Sequence, residues 1–115
     1  MDAPSMNVKQ AVEVRMRSYV NRNADLLNNW HRKVVVEKES MSVEAIAALA
    51  SSNYYATAAS AILFELQYSH SADRLDATLT ELIEQEMRSN GPKEMLTVYL
   101  EAQRALNSPL LVPNA

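Results

Sequence analysis

The chain has 115 residues, enough for one domain and too few for two ordinary ones, and 48% of them are apolar, which suits a packed core rather than a disordered chain. It holds no Cys and one Gly, so disulfides, thiolate metal sites, a cysteine nucleophile and glycine-rich phosphate loops are excluded. The net charge of −3 speaks against broad nucleic-acid binding, and the charge is unevenly placed: residues 1–40 carry seven Lys/Arg and five Asp/Glu, residues 41–115 four and nine.

Met1-Asp2-Ala3-Pro4-Ser5-Met6 lacks a basic stretch followed by an apolar run. No secretory signal is expected there, and a cytoplasmic location is. The first predicted helix covers about residues 7–37. Val8, Val12, Met16, Tyr19, Leu26, Leu27, Trp30 and Val34 recur at three- and four-residue steps and share one side, while Lys9, Glu13, Arg17, Asn21, Asn28 and Arg32 take the other. Glu13 precedes Arg17 by four residues, the favourable order for a helical ion pair. Asn21-Arg22-Asn23 is a weak point at which the helix could bend. Val34-Val35-Val36 loses rotamer freedom in a helix, so an end is expected near Glu37, with a short strand at these valines as the lesser alternative.

Ser42 is placed to cap a second helix, predicted over 43–68, with Glu44 in the first turn where the helix dipole favours an anion. From Ala45 to Phe64 no charged residue occurs in twenty positions. That length could span a bilayer, but the run holds Ser51, Ser52, Asn53, Thr57 and Ser60, most of the remainder is Ala, and no basic cluster closely flanks it. A central helix buried on all sides, with small residues letting neighbours come close, is the expected form. Ser71 is the expected cap of a third helix over 72–89, with Leu75, Leu79, Leu82, Ile83 and Met87 facing inward. Asn90-Gly91-Pro92 should end it, with Gly91 in the left-handed position and Pro92 opening the next helix. The fourth helix, 92–106, should bury Met95, Leu96, Tyr99, Ala102 and Leu106, and residues 107–115 should form an extended tail. The fold class is therefore all-α: a small bundle of about four helices forming a single domain over 1–115.

Catalytic chemistry finds little footing. His31 and His70 are the only imidazoles, and neither lies in a nucleophile elbow or a glycine-rich turn. No His stands three residues after any Glu, as a carboxylate-bridged metal pair in a bundle would require, so Glu81 and Glu84 read as part of a solvated acidic face with Asp73 and Asp76. No enzymatic activity, metal or cofactor is expected. A helix-turn-helix unit over 42–64 is the alternative, with Arg15, Arg17, Arg22, Arg32 and Lys33 supplying phosphate contacts. Its supposed recognition helix, Asn53 to Phe64, has no Lys or Arg, so nucleic acid is not an expected partner. The expected function is a non-enzymatic protein-interaction module, an adaptor, chaperone, inhibitor or immunity-type accessory protein that covers a partner's surface. Asp73, Asp76, Glu81 and Glu84 would steer a basic protein, Trp30 with Leu110, Leu111 and Val112 would supply apolar contacts, and the chain would be a homodimer with no membrane association.

Overall fold

The computed structural model describes residues 4–68 and 71–107, and within them all regular structure is helical, with four α-helices, one π-helical turn and no strand. Helix α1 runs Pro4–Trp30, α2 Val43–Tyr68, α3 Ala72–Ser89 and α4 Lys93–Leu106. The expected tail, including Leu110, Leu111 and Val112, lies outside the described residues.

Helix α1 passes through Asn21-Arg22-Asn23 without a break, and then widens into a π-helical turn over His31–Val36. The expected disruption at the valines is real, but it is a loosened turn and not a strand. Three β-branched side chains crowd an α-helical turn, and an i→i+5 ladder, closed by Glu37 N–H on the Arg32 carbonyl at 2.9 Å, spaces them further apart. The chain then reverses through Lys38, whose φ of 61° lies in the left-handed region.

The caps fall where side-chain chemistry requires them. The Ser42 hydroxyl accepts from Ala45 N–H at 3.1 Å and the Ser71 hydroxyl from Arg74 N–H at 3.2 Å. At the end of α3 the expectation for Gly91 is corrected. The left-handed residue is Asn90, with φ 58°, a conformation Asn tolerates better than most side chains. Gly91 has no positive φ, and its N–H closes on the Glu86 carbonyl at 3.0 Å in a Schellman-type turn. A Cβ there would meet the Glu86 carboxylate, the mobile end of a side chain that could swing aside, so neither backbone angle nor backbone crowding demands glycine at 91. Pro92 is the residue before α4 rather than its first turn.

The core is built where α1, α2 and α4 meet, with α3 laid against α4. Val12 and Met16 of α1, Ala58, Ala59 and Ile62 of α2, Leu75, Leu79 and Ile83 of α3, and Val98, Tyr99, Ala102, Ala105 and Leu106 of α4 form one cluster. Each fully buried Leu, Ile, Val or Met contributes on the order of 1.5–3 kcal/mol, and the alanines of α2 and α4 let the helix backbones come close enough to fill the space between them. Val98 and Ala105, absent from the expected inward set of α4, are buried, whereas Met87, expected inward on α3, is exposed.

Helix α2 corrects the largest expectation. It is one helix, but its neighbours shield one side only. Ser52, Ala56, Ala58, Ala59 and Ile62 are buried, while Val43, Ile46, Tyr54, Phe64 and Tyr68 are exposed.

Candidate interaction surface

The open side of α2 has a regular construction. Taking alternate steps of four and three residues from Val43 gives Ala47, Ala50, Tyr54, Thr57, Ala61, Phe64 and Tyr68. Seven of these eight positions are exposed and Ala61 is half-buried. Steps averaging 3.5 residues keep them in one line, nearly opposite the line of Ser52, Ala56, Ala59 and Ile62 that enters the core. The exposures are 79% at Val43, 43% at Tyr54, 58% at Phe64 and 59% at Tyr68, far more apolar surface than a solvated face carries by accident. Phe64 and Tyr68 lean on each other, ring centroids 4.8 Å apart, four residues along the helix. Ile46, Asn53, Ser60 and Gln67 border the stripe on one side, all exposed and uncharged. Glu44 and Glu65 stand at its two ends.

The buried side of α2 is held by a small number of polar contacts. Tyr19 of α1 stacks on Tyr55 of α2, centroids 5.4 Å apart, and donates its hydroxyl to the Glu101 carboxylate of α4. Glu101 also pairs with Arg15 at 3.2 Å, so one carboxylate ties α1 to α4. Burial first, and the Glu101 carboxylate second, push the Tyr19 phenol up to about 12. Ser51 donates to Glu94 at 2.9 Å, fastening α2 to the first turn of α4. The Glu94 carboxyl sits below its usual range because it accepts from its own backbone N–H and then from Ser51. Asn23 lies between α1 and α2, 8% exposed, with its Nδ2 3.4 Å from Asn53 Oδ1 and its own Oδ1 buried without a hydrogen-bond partner.

The acidic residues of α3 divide. Asp73, Glu81 and Glu84 are exposed on one side of the helix. Asp76 is turned into the contact with α4, where its Oδ1 accepts from Gln103 Nε2 at 3.1 Å and Asn107 Nδ2 at 2.8 Å. It clasps two helices and is only half-exposed. Trp30 is half-buried and lines a groove with Leu26, Lys33, Met41, Ala45 and Leu49, where the end of α1 faces the start of α2. His31 is exposed, and His70 lies outside the described residues.

The helix-turn-helix expectation fails on geometry, since Ser51-Ser52-Asn53 continues α2 without a turn and Asn53–Phe64 is its middle, not a separate helix. Arg17 pairs with Glu13 at 2.8 Å as the spacing predicts, and Arg32 bonds to Asn29 at 2.6 Å. Among the described residues no group of three or more His, Cys, Asp or Glu is set to hold a metal ion, and no helix is long and apolar enough to cross a membrane.

The signal that sequence reading missed is the direction of the apolar pattern in α2. Its apolar residues are spread evenly around the axis, so no single inward face can be read from them. The 3.5-residue line from Val43 to Tyr68 was nevertheless visible, and it is the one signal that could have separated the two sides. No family model matches the chain, and comparison with curated proteins and with solved structures finds no relative.

Proposed function

We propose that the protein is a non-enzymatic interaction module whose docking surface is the outward stripe of α2. One observation carries this reading: a line of apolar, uncharged side chains about 39 Å long stands in water on a helix whose other side already completes the core. A helix that is apolar all round gains free energy when both sides are covered, and a second helix laid along the stripe would cover it. The exposed acids of α3, Asp73, Glu81 and Glu84, lie on a different helix and favour a basic partner through long-range steering. Adaptor or inhibitor action of this kind works by occluding or presenting a surface and needs no reacting group.

A photo-reactive phenylalanine analogue placed at Tyr54 or Phe64 in the cell that makes the protein tests the reading. Covalent protein adducts are expected from both positions, and none from the exposed Thr97 on α4. Adducts absent at 54 and 64, or equally abundant at 97, would contradict it.

A further inference from the structure

The charge of the stripe and the sizes of its side chains restrict what can cover it. The eight positions of the stripe and its exposed border of Ile46, Asn53, Ser60 and Gln67 carry no charge. The nearest charges are of both signs, Glu44 and Glu65 at its ends and Lys9, Glu13 and Arg17 of α1 beside Ser60, Phe64 and Gln67, so no single sign of charge selects a partner for the stripe and the sizes of its side chains decide. Its large residues are unequally placed. Val43, Ala47 and Ala50 make the first part slim, and Phe64 and Tyr68 make the last part bulky. A second copy running the same way would set Tyr54, Phe64 and Tyr68 each against itself and leave Ala47, Ala50 and Ala61 facing alanines, with bulk in some layers and gaps in others. Reversed about a two-fold axis between Tyr55 and Ala56, the same stripe meets its complement. Val43 then faces Tyr68, Ala47 faces Phe64, Ala50 faces Ala61 and Tyr54 faces Thr57.

We infer that the stripe is covered by a second copy of this chain, with the two α2 helices packed antiparallel. This rests on the reading of the stripe as a docking surface and adds who occupies it and in which direction. The eight positions cover about three and a half heptads, which is the length over which such a seam becomes a specific pairing. The antiparallel order sets each position of one type against its opposite type, as antiparallel coiled coils do, and it puts the helix dipoles head to tail. The two alanine layers, Ala50 against Ala61 on either side of the axis, set the closest approach of the backbones. On the border, Ile46 meets Gln67 and Asn53 meets Ser60. Glu44 comes near Glu65 of the other copy at each end of the seam, where solvent screens the repulsion.

The direction can be read with cysteines, because the chain has none of its own. Light scattering of the wild-type chain at micromolar concentration should give twice 12.9 kDa, and Phe64→Glu should give 12.9 kDa with unchanged far-ultraviolet dichroism, since Phe64 is outside the core. Under mild oxidation the double variant Ala50→Cys/Ala61→Cys should form a covalent dimer. Each single variant should not, because in the antiparallel order a residue 50 is about 16 Å along the axis from its counterpart. Self-linking of either single variant overturns the antiparallel order. A mass of 12.9 kDa at every concentration overturns self-pairing altogether; adducts to another protein from positions 54 and 64 would then leave the interaction reading standing, and their absence would remove both.

Discussion

Tyr19 shows how much of this fold depends on single polar contacts between helices. Its phenol is pushed up to about 12 from 10.0 by burial and by Glu101, so the folded state prefers the protonated form. A raised pKa in the folded chain means a contribution that is complete below pH 10 and is lost as pH rises toward 12. Denaturation midpoints should therefore fall across pH 10–12, and Tyr19→Phe should flatten that fall and remove one high-pH component from the ultraviolet tyrosine titration. Asn23 acts in the opposite sense. Its buried Oδ1 has no partner and its Nδ2 bond is long at 3.4 Å, so the side chain is dehydrated with little return. Asn23→Leu should raise stability by about 1 kcal/mol in urea denaturation. A lowered midpoint would mean that the contact with Asn53 holds the helices together more than its length implies. Lys38 carries a further local cost, since its left-handed backbone suits glycine better than any side chain with a Cβ.

At the scale of elements, α2 separates what burial does from what apolarity does. Ile62 is fully buried and Phe64, two residues on, is 58% exposed, although both belong to the same uncharged run. Ile62→Ala should cost about 2–5 kcal/mol, measured as a drop in the denaturation midpoint of the Phe64→Glu background so that association does not enter. The limits of α2 and α3 were legible because Ser42, Ser71 and Asn90-Gly91-Pro92 are local signals, each set by a hydrogen bond or a backbone preference that depends on few residues. The outward side of α2 was not legible as such. A pattern that is apolar all round says that two sides want covering and does not say that the chain itself covers only one. Met87 and Asp76 failed for a related reason. Periodicity put Met87 inward, but α3 packs chiefly on α4, and the same contact draws Asp76 inward to Gln103 and Asn107. The valines of the π-helical turn announced a disruption without specifying its form.

The whole molecule has one core drawn from all four helices, which α3 joins chiefly through α4, and that arrangement leaves large apolar side chains of α2 exposed. The acidic side of α3 and the neutral stripe of α2 lie on different helices, so the proposed pairing through α2 would leave Asp73, Glu81 and Glu84 open to a further protein. The account stands on the stripe being covered in solution. Hydroxyl-radical footprinting across a rising protein concentration tests this most directly. Labelling of Tyr54, Phe64 and Tyr68 should fall as concentration increases, while Met87, 66% exposed on α3, stays equally reactive. Stripe aromatics that remain as reactive as in the most dilute sample, with Met87 alongside them, would contradict it.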